Sequence, residues 1–237
     1  MEAILNSLKR CPSASLCSAI PRSTLSALLR EGSIGLPAAH EDILSQANGI
    51  TVYDGYFRLF GVGCSDGTDL LHWNDLDTWK FAWDLDLSRF LCFGETAWGD
   101  QYAYATDDLH LGRAPTVYYL DSILMKAEAL CEGFEAFMKA EFLPCATNPY
   151  DRMIVAARNK IGRLDWNTHI IYMPSLLLGG QDSVENVAEI NAVAGMIING
   201  DLASQCANET LKRRVKALQD YVDSKGRPRI RVLWARR

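Results

Sequence analysis

Arg89-Phe90-Leu91-Cys92-Phe93-Gly94-Glu95-Thr96-Ala97-Trp98-Gly99-Asp100-Gln101-Tyr102-Ala103-Tyr104-Ala105-Thr106 is the stretch that decides the fold. Arg89 to Glu95 and Gln101 to Thr106 are rich in aromatic and aliphatic residues and read as strands. Thr96 to Asp100 joins them, so the two form a hairpin. Upstream, Ile50 to Tyr53 and Tyr56 to Phe60 flank Asp54-Gly55, a second hairpin signal. Downstream, Thr116 to Leu120 is another strand. Helical segments surround these strands. Ser23 caps a short helix through Leu25, Leu28 and Leu29 that ends near Gly32. Pro37 opens a helix that stops at Asn48-Gly49. Asp69 to Asn74 reads as a helical turn, and Phe134, Phe137, Met138 and Phe142 recur at helical spacing over Glu132 to Phe142. The pattern predicts an α+β fold: a twisted, mainly antiparallel sheet with packed helices.

Leu143-Pro144-Cys145-Ala146-Thr147-Asn148-Pro149 is the best break in the chain. It divides an α+β domain, residues 1–146, from a C-terminal subdomain, residues 147–237, expected to pack against the first. Tyr150 to Ile161 reads as a helix ended by Gly162, and Trp166 to Met173 as extended. Ser183 caps a predicted long helix containing Val187, Ile190, Val193, Met196 and Ile197. Leu211 to Val222 is a further predicted helix. Ile230, Val232 and Trp234 alternate along a terminal strand, Arg229 to Trp234. The C-terminal subdomain is thus expected to be mostly helical.

Composition narrows the function. The chain has 237 residues, enough to bury a core without staples. Its net charge of −5 argues against a general attraction to nucleic acid or to anionic membrane. No stretch approaches the roughly 20 apolar residues of a membrane helix. Met1 to Leu8 lacks the basic start and apolar run of a signal peptide, so a cytoplasmic protein is expected. The seven cysteines contain no C-x-x-C pair and no histidine at ligand spacing, which points to thiols and away from metal or disulfide. Asn208-Glu209-Thr210 matches a glycosylation sequon, without meaning for a protein that is not exported.

The charge is unevenly spread. Ala38 to Asp108 holds thirteen acids and three bases, a net of −10, and the chain from Ser204 onward holds ten bases and three acids, a net of +7. Catalytic patterns are scarce. The four histidines make no H-x-x-x-H motif, there is no G-x-S-x-G, and Gly61-Val62-Gly63 is only a fragment of a phosphate loop. Asp84-Leu85-Asp86 sets two carboxylates on one side of an extended segment, a metal or acid–base pair on one reading and a solvated loop on the other. Trp83 and Trp98 are partner anchors or core. The basic end is a nucleic-acid contact or a solvated helix face with a charged terminus. No catalytic residue and no cofactor are expected.

Leu36-Pro37, the helix to Asn48-Gly49, and Gly55-Tyr56-Phe57-Arg58-Leu59-Phe60-Gly61 resemble the opening of the SUKH superfamily. Phe90 to Asp100 looks like the central hairpin of that group and of the related GAD-like domains, and the Phe134 to Phe142 helix is similar to its closing helix. Gly162-Arg163-Leu164, Tyr172-Met173-Pro174, Leu177-Leu178-Gly179-Gly180 and Ser183-Val184-Glu185-Asn186 resemble the C-terminal domain of type VI secretion DNase-immunity proteins. The likeness runs from about Ile20 to Gln205 and brings no catalytic residues. It implies an immunity protein that binds a secreted bacterial toxin and blocks its active site or its access to substrate. The alternative it implies is a non-catalytic regulatory scaffold, and a small hydrolase using Asp84 and Asp86 is a third reading. A toxin that handles nucleic acid presents a basic cleft, so the acidic stretch suits it, and the chain itself is not expected to touch nucleic acid. The expected toxin-binding residues are Asp54, Trp83, Asp84, Asp86, Trp98 and Asp100.

Overall fold

The computed structural model describes residues 1–64, 67–111, 113–207 and 214–235. The Asn208 to Thr210 sequon, Lys212 and Arg213 lie outside the described residues. Seven strands follow one another in an antiparallel meander: β1 (Ser15–Leu16), β2 (Ile50–Val52), β3 (Phe57–Leu59), β4 (Phe90–Thr96), β5 (Gln101–Ala105), β6 (Thr116–Asp121) and β7 (Lys126–Glu132). With the helices around it this is an α+β fold. The decisive hairpin forms as read: Leu91 pairs with Tyr104 and Glu95 with Gln101, with a bulge between Cys92 and Gly94. The bulge adds one residue to β4 and increases its local twist. Gly94 has no side chain because a Cβ there would lie 2.6 Å from the Arg58 carbonyl. β1 and β7, the two edges, carry too little apolar patterning to be found in sequence.

Helices cover both faces. They are α1 (Glu2–Lys9), α2 (Arg22–Glu31), α3 (Ala38–Leu44), α4 (Leu70–Trp73), and a longer helical run made of α5 (Phe134–Phe137), a π turn (Met138–Phe142) and α6 (Leu143–Cys145). On one face Phe93, Tyr102 and Tyr104 meet Phe134 and Phe137, with Phe93–Tyr104 stacked at 4.3 Å and Tyr102–Phe137 at 4.8 Å. His40 of α3 joins them, stacked on Phe134 at 4.1 Å. On the other face Trp73, Trp79 and Trp83 form a chain of rings, 5.6 and 5.2 Å apart. All of these side chains are buried, each worth about 1.5–3 kcal/mol in apolar transfer for a residue of phenylalanine size.

The C-terminal part departs from the expected mostly helical subdomain. Among its described residues it holds two α-helices, α7 (Arg152–Ile161) and α8 (Ala192–Ala207), and two hairpins, β8 (Thr168–Tyr172) with β9 (Val187–Asn191) and β10 (Val215–Val222) with β11 (Pro228–Trp234). Ser183 caps no long helix. Val187 and Ile190 are strand residues opposite Tyr172 and His169, and their three-residue spacing to Val193 only imitates a helical stripe. The helix begins after Asn191, whose side chain accepts the Ala194 N–H at 3.2 Å. The predicted helix Leu211 to Val222 is corrected over its described part: Val215–Val222 is a strand. It is set by the turn that follows, where Asp223 Oδ1 accepts the N–H groups of Lys225 and Arg227 at 2.8 and 3.0 Å, and Gly226 has φ 81°.

The two parts share one buried core that includes Leu59, Leu91 and Phe93 of the sheet with Leu164, Ile170 and Met196. Backbone bonds join them, Leu164 N–H to Asp54 O at 2.9 Å and Ile170 N–H to Ala97 O at 2.8 Å. Gly55, at φ 93°, is pressed against the Leu164 carbonyl, which leaves no room for a side chain. Among the described residues no helix is long and apolar enough to cross a membrane.

Candidate binding surface

The six residues singled out in sequence part ways in the structure. Trp83 is 5% exposed, and its indole N–H donates to Met196 O at 3.0 Å. Trp98 is 8% exposed, stacks on Tyr172 at 4.7 Å and donates to Asp151 at 2.8 Å. Both tryptophans are core, and the reading of them as protruding anchors is corrected. Asp100 is buried as well. It accepts the Ser122 N–H and hydroxyl at 2.9 Å each and the Thr96 hydroxyl at 2.8 Å. Burial pushes its carboxyl above the ordinary range, and those hydrogen bonds pull it partly back. Asp54 is half-buried and ion-paired with Arg158, whose Nε donates to it at 2.7 Å. Of the six, Asp84 and Asp86 alone are exposed, between buried Trp83 and Leu87.

A buried polar centre escaped the sequence reading. Arg58 of β3 is 0% exposed and donates to Glu95 Oε1 at 2.9 Å, Gly55 O at 2.9 Å, Trp166 O at 3.1 Å and Asp165 O at 3.0 Å, and also to Thr168 O. Glu95 in turn faces His169 Nε2 at 3.0 Å and accepts from Gln101 at 3.2 Å. Gln101 Oε1 accepts the Trp73 indole N–H at 2.7 Å. Burial alone pushes the Glu95 carboxyl up; His169, Arg58 and the hydrogen bonds outweigh it and hold the group below the usual carboxylate range. Arg58, Glu95, Gln101 and His169 are 0–1% exposed and Trp73 is 4% exposed, so a substrate has no access to them. Their work is mechanical. One guanidinium satisfies three carbonyls of the segment leading into β8 and so latches the C-terminal part to the sheet. Breaking such a pair from one side is costly, since it strands a buried charge.

Among the described residues, an apolar hollow of about 480 Å³ lies between α8 and the β10–β11 hairpin, and a groove of about 400 Å³ lies between the end of α2 and the segment from Leu71 to Leu91. Ile34, Leu71, Phe90 and Leu91 give it an apolar floor. Asp75 lines the rim beside Leu76, which is 52% exposed. Ser88 lines it too and donates to Asp86 at 2.5 Å. Thr106 is a third rim residue, followed in the chain by exposed Asp107. Lys80 reaches the groove, but its ammonium donates inward to Asn74 Oδ1 at 2.8 Å, Phe90 O at 2.8 Å and Leu87 O at 3.3 Å. Burial lowers its pKa. Asp75 is thus the carboxylate that lines the groove, and exposed Asp86, Asp107 and Arg89 are chain neighbours of its lining residues. Such a site can take a long cationic side chain with an apolar stem, or an aliphatic side chain set among basic ones. Among the described residues no three His, Cys, Asp or Glu side chains come together as metal ligands.

No family model matches the chain, and no curated protein matches it. Among solved structures it is similar to the crystal structure of Atu4351 from Agrobacterium tumefaciens, with a TM-score of 0.54 at 15% identity, over 82% of this chain and 87% of that one. At that identity the likeness shows a shared fold.

Proposed function

We propose that the chain is an immunity protein that grips a secreted bacterial toxin and blocks its active site or its path to substrate. The observation that carries the reading is the groove with an apolar floor lined by Asp75 and exposed Leu76, with exposed Asp86 bonded to its lining residue Ser88. The order of motifs resembling the SUKH superfamily supports it. The partner is a basic protein: carboxylates left in solvent steer a cationic cleft toward the groove, and the apolar floor supplies buried area once water is excluded. The chain works in the cytoplasm, without cofactor and without turnover, by occupying the toxin. The test takes a toxin gene found directly upstream of the gene for this chain and measures growth of cells that express it. Co-expression of the wild type restores growth. Cells that die equally with and without it overturn the proposal.

A further inference from the structure

The β10–β11 hairpin has one finished edge and one open edge. On the finished side, α8 supplies side chains in place of a third strand. The Ile230 N–H donates to Asp201 Oδ2 at 2.7 Å, the Ile230 carbonyl accepts from Gln205 Nε2 at 2.9 Å, and the Val232 N–H donates to Gln205 Oε1 at 2.8 Å. These bonds also fix the phase of the pair. Ile230 and Val232 turn their backbone groups away from β10, and their partners across the hairpin are Asp220 and Leu218. In an antiparallel pair, residues opposite one another share that orientation. Leu218 and Asp220, and Val222 two residues on, therefore point their N–H and C=O groups outward on the far side of β10. The Asp223 N–H bond to Arg227 O, at 3.0 Å, keeps the same phase into the turn.

Among the described residues that outer edge pairs with no further strand, and it carries two exposed aliphatic side chains, Leu218 at 47% and Val222 at 66%; Asp220 and Val222 also line the hollow beside α8. An open strand edge with apolar side chains is a template for another strand. We infer that two copies of this chain join through β10, paired antiparallel about a twofold axis into a four-stranded sheet. The charges on the edge select the occupant. Lys216, in the bulge between Val215 and Ala217, and Asp220 stand two residues either side of Leu218. A twofold axis through Leu218 sets Lys216 of each copy opposite Asp220 of the other, and the attraction counts twice. An axis through Asp220 would oppose two carboxylates and is disfavoured. A second copy of the same edge is thus complementary to it in backbone, apolar contact and charge.

The test is sedimentation equilibrium of the full chain from about 1 to about 100 µM, the range in which a small interface associates. The wild type is expected to dimerise, less strongly at high salt. Lys216→Asp places carboxylates on both sides of the axis and weakens the dimer at least about tenfold. Combining Lys216→Asp with Asp220→Lys exchanges the charges and restores it. Both variants lie on an exposed edge, so a wild-type circular dichroism spectrum verifies folding. A wild type that stays monomeric throughout, or a dimer indifferent to Lys216→Asp, overturns the inference.

Discussion

At the scale of single residues, the sequence was least able to speak where a distant partner decides. Trp83 is fixed in the core by the carbonyl of Met196, 113 residues away, and nothing near Trp83 in sequence marks that. Arg58 and Glu95 did leave a trace. Each is a charged residue inside a short strand, with Phe57 and Leu59 beside one and Gly94 and Thr96 beside the other, and a charge in such a setting must find a partner. Counting them merely as members of an acidic stretch hid the pair. His40 makes the same point and yields a prediction. Its ring is fully buried against Phe134 and within 3.2 Å of the Tyr104 hydroxyl, and burial pushes its pKa down to about 3. Unfolded histidine titrates near 6.5. As pH falls below that value the unfolded chain gains a proton that the folded one refuses, so stability is complete above about 6.5 and declines toward 3. Between pH 7 and pH 5 the loss from this group is about 2 kcal/mol. Urea unfolding at the two pH values should show it in the wild type and show it removed in His40→Gln. An unchanged difference in the variant would contradict the assignment.

At the scale of elements, strands flanked by turn residues were legible and the C-terminal helices were only half so. The Asp54-Gly55 and Thr96 to Asp100 hairpins, α7 with Gly162 at its end, and β11 all stand close to where the sequence put them. Local chemistry sets them, and local chemistry is what a sequence displays. Val187 to Ile190 and Val215 to Val222 failed because apolar residues three or four apart suit a helix equally well until a partner strand is known. The second hairpin depends on α8 for its finished edge. Asp201 is 1% exposed and accepts both from Arg229, through Nε at 2.7 Å, and from the Ile230 N–H. Asp201→Ala strands both donors, at a cost of about 2–4 kcal/mol. Hydrogen exchange should then quicken at Arg229 to Leu233 while β4 and β5 keep their protection. Uniform loss of protection across the sheet would instead mean that the hairpin and the main sheet unfold as one unit.

At the scale of the whole molecule, the bipolar charge read from the sequence is partly cancelled by folding. Asp54 is neutralised by Arg158, Asp77 pairs with Arg227 of the basic hairpin at 3.0 Å, and Glu95 is spent on Arg58 and His169. Asp75, Asp84 and Asp86 remain exposed, around or beside a groove whose apolar floor was not visible in sequence because it is assembled from Ile34, Leu71 and Phe90, far apart in the chain. A linear count of acids located the region, and only the fold separated the carboxylates that hold the protein together from those that face outward. The claim that these outward carboxylates receive a basic toxin is tested most directly by titration calorimetry of the candidate toxin with the wild type and with the Asp75→Lys, Asp86→Lys double variant. Both substitutions are on the surface and should leave the fold intact. The account predicts tight binding by the wild type and an affinity at least about tenfold lower in the variant, chiefly from slower association at low salt. Equal affinities for two equally folded proteins would contradict it.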